Sequence, residues 1–307
     1  MDNAVASADS TSGSGPSPAE APEKALKAEF SYPVEVSIKS LLAAGAHFGH
    51  QTDKWNPKML PYIYCAKNGI HIINLDITLE QWKKARQALV DTAARGGSVL
   101  LVGTKQQARE TVQQEAERCG SFYVTTRWLG GTLSNFQTIK NSIERMQRLE
   151  ELLEKANQEG TNIKLNKKEK LEISRELRKL EMSLSGIRSM KKLPDLIFVV
   201  DLIKEAIAVA EARRLRIPVI ALVDTNTDPE LVNYPLVAND DASRTIRLFA
   251  AAVADAVLEG KAQYAARAPK EAAGGDDGGG IEVIVQGKFA EQGAEEKAEA
   301  VRGGAGV

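Results

Sequence analysis

Short apolar runs separated by amphipathic stretches constrain the fold more than any other feature of this chain. The runs are "HIINLD" (71–76), "SVLLVGT" (98–104), "FYVT" (122–125), "LIFVVD" (196–201) and "VIALVDT" (219–225). Each is rich in β-branched residues and apolar on both faces. A strand wetted on one side alternates apolar and polar, so unbroken runs fit a parallel sheet covered on both sides. Helical stretches lie between them. "TLEQWKKARQALVDTAARGG" opens at Thr78 as a cap, has Glu80 two positions on, and stops at glycine. "KQQARETVQQEAERCG" also ends at glycine, "KEAIAVAEARRLRIP" stops before proline, and "DASRTIRLFAAAVADAVLEG" is long and alanine-rich. This alternation predicts a doubly wound α/β domain.

One segment breaks the rhythm. From Leu133 to about Ser185 there is no strand pattern. Phe136, Ile139, Ile143 and Met146 recur at spacings of three and four, and so do Ile173, Leu177, Leu180, Leu184 and Ile187. A polar stretch, "NQEGTNIKLNKKE", separates the two sets, and Asn166 with Glu169 forms a capping pair. Two heptad-patterned helices, each charged around most of its circumference, predict an antiparallel coiled-coil hairpin inserted at 133–185. The α/β domain then comprises 31–132 and 186–260.

The ends differ from the body. Residues 1–28 are Ser, Gly, Ala and Pro rich, and 265–307 are Ala, Gly and Glu rich. Such segments bury too little apolar surface to offset chain entropy, which predicts disordered extensions over 1–30 and most of 261–307. Within the second, "IEVIVQG" (281–287) alternates like a short strand. The net charge of −1 hides an asymmetry. Residues 31–260 carry 32 Lys and Arg against 28 Asp and Glu, and both extensions are net acidic. A mildly basic body admits a polyanion partner without requiring one. No apolar run approaches the ~20 residues that span a bilayer. Cys65 and Cys119 form no C-x-x-C pair, and the first thirty residues resemble neither a signal nor a transit peptide. Both points indicate a cytoplasmic protein.

Three stretches carry candidate chemistry. "GAHFGHQTDKWNPKMLPYIY" (45–64) holds two of the three histidines and interleaves lysines with aromatics. Lys54, Lys58 and Lys67 suit phosphates, Trp55, Tyr62 and Tyr64 suit stacking on unpaired bases, and the prolines stiffen the loop around Asn56. "TTRWLGGTLSNF" (125–136) places Arg127 and Trp128 before a Gly-Gly bend. Thr132 or Ser134 there is a candidate cap, and the free N–H groups of the following helix are a candidate phosphate site. "SGIRSMKKLPD" (185–195) adds Arg188, Lys191 and Lys192. His47 and His50, with Cys65 and His71 downstream, are of zinc-ligating type, but their spacing matches no finger or ribbon, so buried, hydrogen-bonded histidines are the simpler reading. Asp76, "GTK" (103–105), Asp201 and "DTNTDP" (224–229) sit at strand ends, where an enzyme would hold magnesium or phosphate. No phosphate loop, dinucleotide fingerprint or nucleophile elbow accompanies them.

Taken in order, "AGAHFGHQT…WNPKM", "HIINLD", "VGTK", "RWLGGTLSNF", "LPDLIFVVD" and "IPVIALVDTNTDP…NDDA" resemble the bacterial small-subunit ribosomal protein S2 family, from about Val36 to Gly260. The resemblance implies a flavodoxin-like (Rossmann-like) three-layer α/β sandwich with a protruding coiled-coil hairpin. It implies a structural, ribosome-bound protein without cofactor, catalytic residues or small-molecule substrate. The partners implied are small-subunit rRNA and other small-subunit proteins, including the large mRNA-binding one. On this reading Lys54, Trp55, Asn56, Lys58, Arg127, Trp128, Arg188, Lys191 and Lys192 are the RNA-binding candidates. Two rivals remain: a cytosolic enzyme with a strand-end carboxylate–magnesium site, and a protein scaffold that docks through the hairpin alone.

Overall fold

The computed structural model describes residues 33–157 and 166–272. The possible strand at 281–287 lies outside the described residues, as do the extensions at 1–30 and from 273 on.

Eight strands and seven α-helices follow one another along the described chain. They are α1 (Ile38–Ala44), β1 (Phe48–Gln51), β2 (Ile63–Lys67), β3 (Ile70–Ile73), α2 (Leu75–Ala94), β4 (Val99–Val102), α3 (Gln106–Cys119) and β5 (Phe122–Val124). Then come α4 (Phe136–Asn157), α5 (Lys167–Leu184), β6 (Leu196–Val200), α6 (Ala206–Arg214), β7 (Val219–Val223), β8 (Tyr234–Val237) and α7 (Ser243–Ala272). One compact unit ends at Arg267, and the described residues beyond it carry α7 past the expected boundary at Gly260 to Ala272.

The main sheet has five parallel strands in the order β5-β4-β6-β7-β8. Counting only its own strands, that is second, first, third, fourth, fifth, the flavodoxin-like order of doubly wound sheets. The unbroken apolar runs are explained by burial on both faces. Phe198, Leu101 and Leu222 point to a core shared with α1, α2, α3 and α7, where Trp82 meets Phe249 edge-on at 5.9 Å. Ile197, Val199, Leu100 and Ala221 point to a second core shared with α6 and with Ile139, Ile143 and Met146 of α4. Alternate residues of one strand thus serve opposite helical layers.

Two expectations fail for local reasons. "HIINLD" does not join the parallel sheet. Its first part is β3, the middle of a separate antiparallel sheet ordered β1-β3-β2. Its last part opens α2: the Asn74 side chain accepts the Asp76 N–H at 3.1 Å, so Asn74 rather than Thr78 is the cap. The Thr78 hydroxyl donates instead to the carbonyl of Val237 at 2.6 Å. The fifth parallel strand, β8, was missed because it is short and contains Pro235. Proline lacks a donor and is confined to edge strands, where β8 lies.

Among the described residues the strandless stretch contributes the two helices α4 and α5. α4 and α5 are tied by the Arg145–Glu176 ion pair at 2.6 Å, and Lys170 donates to the carbonyl of Ala156 at 2.8 Å. At the start of α5 the Asn166 N–H donates to the Glu169 carboxylate at 2.9 Å.

α6 ends in a Schellman arrangement, with Ile217 N–H donating to Ala212 C=O and Arg216 N–H to Arg213 C=O. Arg216 occupies the left-handed position at φ 58°, where a β-carbon crowds the backbone. Arg216→Gly relieves that strain at a smaller entropic cost in the unfolded chain. It is expected to stabilise the protein by about 0.5–1 kcal/mol, read as a higher urea midpoint at unchanged slope.

Candidate nucleic-acid interface

The aromatic and basic loop after β1 is held by the end of β7. Gly49 lies so close to Thr225 that a β-carbon there would sit 2.6 Å from the threonine methyl. The His50 N–H donates to the Thr225 hydroxyl at 2.9 Å, and the Asn56 N–H donates to the Thr225 carbonyl at 2.8 Å. Within the loop, the Asn56 side chain accepts the Lys58 N–H at 3.0 Å and starts the 3-10 turn Pro57–Tyr62. Met59, fully buried, anchors that turn in the second core. Two motifs far apart in sequence, "HFGHQT…WNPKM" and "DTNTDP", therefore form one structure.

What the loop shows to solvent is narrower than its composition implies. Lys54 is exposed, and Trp55 is half-buried with its ring 5.2 Å from that of His71. Tyr64 is 74% exposed. Tyr62 packs against the second core, and its carbonyl accepts from Asn74. The RNA-binding candidate Lys58 is already ion-paired: its ammonium bridges Asp228 at 2.8 Å and Glu230 at 2.5 Å. Asn56 is likewise engaged, since its side-chain oxygen caps the turn.

The "RWLGG" turn is organised by an internal anion. Glu211 of α6 is buried, and its carboxylate accepts from the N–H groups of Gly131 at 2.7 Å, Leu133 at 2.9 Å and Ser134 at 3.0 Å. Burial pushes this carboxyl up, but the three backbone donors outweigh it and hold it below the ordinary carboxylate range. Gly131 reaches the required geometry at φ 92°. The anion nest expected for a phosphate is thus filled by the chain's own side chain. Trp128 is corrected as well. It is 7% exposed, lies in the second core and donates to Glu211 at 3.4 Å, so it offers no face to a base. Thr132 is no cap, because its hydroxyl turns back to the carbonyl of Leu129. Arg127 is exposed, with no ion pair among the described residues.

The third cluster departs from the other two. Lys192 pairs with Asp195 at 3.3 Å, and Asp195 holds the Ser98 N–H just before β4. That is the N-terminal edge of the parallel strands, whereas Arg127 and Thr225 follow the C-terminal ends of β5 and β7. Arg188 grips Glu150 of α4 through both carboxylate oxygens, at 3.0 and 2.5 Å, and Lys191 is exposed. Of the nine candidates, Lys54, Trp55, Asn56, Arg127 and Lys191 retain accessible surface without an ion partner among the described residues, and of these the Asn56 side chain is taken up by the turn it caps.

The histidines do not converge. His47 stacks obliquely on Phe48 at 4.0 Å, and burial lowers its pKa. His50 faces Asp224, with Nδ1 at 3.0 Å from the carboxylate. That hydrogen bond raises its pKa against the opposing effect of burial. Cys65 is exposed on β2. Among the described residues, no group of three or more His, Cys, Asp or Glu is arranged to hold a metal.

The strand-end carboxylates are also accounted for. Lys105, one residue past "GT" at the end of β4, places its ammonium 2.6 Å from Asp241, 2.8 Å from Asp240 and 3.4 Å from Asp201. A lysine already supplies the positive charge that a magnesium reading would require. Asp240 is pushed up to about 7, by burial above all and by Asp201 and Asp224, while Lys105 pulls the other way. Asp76 stands apart in the first turn of α2. Sequence reasoning missed Glu211 and Asp240. A helical wheel over "EAIAVAEA" sets Glu205 on the face of Ala208, Val209 and Ala212, but puts Glu211 at the border of that face, closer to exposed Ile207, so periodicity did not signal its burial.

The domain is thus doubly wound, its strand-end carboxylates are met by a lysine, and its aromatic, basic surface loop is tied to the core. Comparison with known proteins gives the family. The family model for ribosomal protein S2 matches residues 41–260. The chain is 52% identical over 227 residues to the small ribosomal subunit protein uS2 of Lawsonia intracellularis, covering 74% of this chain and 77% of the relative. It is 52% identical to that of Oleidesulfovibrio alaskensis, covering 74% and 86%, and 51% identical over 237 residues to that of Nitratidesulfovibrio vulgaris, covering 77% and 86%. The chain belongs to the ribosomal protein S2 family. It is a structural protein and not an enzyme.

The Glu211 nest makes a checkable demand. Glu211→Gln removes the charge from three hydrogen bonds and is expected to cost about 1.5–3 kcal/mol at neutral pH. A depressed native pKa contributes stability that is present above the unfolded carboxylate value and is lost as pH falls through the native one. Denaturant unfolding should therefore show the gap between wild type and Glu211→Gln closing only under acid conditions, below about pH 4.

Proposed function

We propose that this chain is a structural constituent of the small ribosomal subunit, cytoplasmic and ribosome-bound, that docks on small-subunit rRNA through the loop after β1 and through Arg127. The observation that carries the reading is the pairing of rigidity with free charge. Lys54 is exposed and without an ion partner among the described residues, on a loop whose backbone is tied to Thr225 on both sides. Preorganised cations lose little freedom on docking, and nearby Trp55 and Tyr64 supply ring faces for unpaired bases. Lys191 is a separate contact at the opposite sheet edge, and Arg188 and Lys192 join it only if their ion pairs open.

In this reading α4 and α5 form the antiparallel coiled-coil hairpin of 133–185, inserted between the two parts of an α/β domain at 31–132 and 186–260. The extensions 1–30 and 261–307 lie outside that domain. The family relationship supports small-subunit partners, and by resemblance these include the large mRNA-binding protein of the same subunit.

The test uses Lys54→Ala with Arg127→Ala in the full chain. Sedimentation of lysates over a range of salt scores occupancy in small subunits. Loss of two phosphate contacts should weaken binding and flatten the logarithmic salt dependence by about 2. Lys58→Ala, which removes a cation already paired, should change it less. Unchanged occupancy of the double variant at every salt concentration would remove these residues from the interface.

A further inference from the structure

The outer face of α6 inverts the usual arrangement of a surface helix. Charged side chains normally face water and apolar ones the core. Here both acids are inside: Glu205 accepts from the Thr104 N–H at 3.0 Å, and Glu211 holds the 131–134 turn. Ala208, Val209 and Ala212 stay in the core, yet further aliphatic residues lie outside. Ile203, just before the helix, and Ile207 are each 59% exposed, and Ala206 and Ala210 are exposed beside them. Positions 207, 210 and 214 follow helical spacing and share one face, with Ile203 exposed in the turn just before it. An open concavity between this face and the 131–134 turn is lined by Ser134, Ala206, Ile207, Ala210, Glu211 and Arg214. The exposed charges along and below the stripe on this segment are all positive: Lys204, Arg213, Arg214 and Arg216.

We infer that this stripe is a docking face for an acidic amphipathic helix of a neighbouring small-subunit protein, a conclusion that rests on the ribosomal reading above. Apolar anchors at helical spacing would fill the concavity over Ile207 and Ala210, and carboxylates would meet the arginines at the foot of α6. RNA fits less well. Phosphates would use the arginines, but would cover two isoleucines with polar backbone and leave their burial unrewarded.

The experiment places a photo-crosslinking residue, Ile207→p-benzoylphenylalanine, in the full chain and irradiates purified small subunits. Incorporation is scored separately by sedimentation. The expected product is a crosslink to a ribosomal protein segment bearing apolar residues at helical spacing with Asp or Glu between them. Ile207→Lys should then cut retention of that partner about tenfold in salt-washed subunits, the loss typical of a central interface residue. A crosslink to rRNA, no crosslink in subunits that contain the chain, or undiminished partner retention with Ile207→Lys would each overturn the docking face. Absence of the chain from subunits would overturn the ribosomal reading, and the docking face with it.

Discussion

Thr225 is the joint on which the surface of this protein depends. It lies two residues past the end of β7, an interior strand of the parallel sheet, and so inherits the position of the most buried part of the molecule. Its hydroxyl and its carbonyl each take an N–H from the segment after α1, one on either side of the projecting loop. Gly49 permits the approach, since any larger residue would collide with the threonine side chain. The loop carrying Lys54 and Trp55 is therefore referenced directly to the core. Its geometry does not rely on the small antiparallel sheet alone, which with so few residues would be a weak support.

The internal acids belong to the same logic. Glu205, Glu211, Asp224 and Asp240 are all buried, each with a partner that fixes a local turn or strand end. They answer backbone donors, a histidine and a lysine, so their charge is spent inside the fold. The excess of only four cations over residues 31–260 thus understates how positive the surface is. Formal net charge counts every carboxylate equally, whereas the field outside the protein is shaped mostly by those that water can reach.

The parallel sheet and its helices were legible because burial on both faces leaves a signature in composition as well as in order. The α4–α5 pair was legible through its spacing of three and four. β3 misled because Ile72 is apolar without being deeply buried, so a strand of a half-covered sheet imitated one of a fully covered sheet. At the interface, residue type showed which segments matter but not which side chains are free. Lys54 and Lys58 look alike in sequence, and only the fold brings Asp228 and Glu230 to the second. Trp128 and Trp55 flank similar basic residues, and only packing assigns one to the core and the other to the surface.

The edge strand β8 bears on how such a chain survives before it meets any partner. Open strand edges recruit other strands, and a protein made faster than its sites appear spends time alone and crowded by its own copies. Here α2 bends over that edge. The Thr78 hydroxyl takes the Val237 carbonyl and the Gln81 side chain takes the Val237 N–H, while Pro235 has no N–H to offer. At this edge of the sheet the outward N–H groups are thus used from within or missing, and a neighbouring strand finds no free donor on β8.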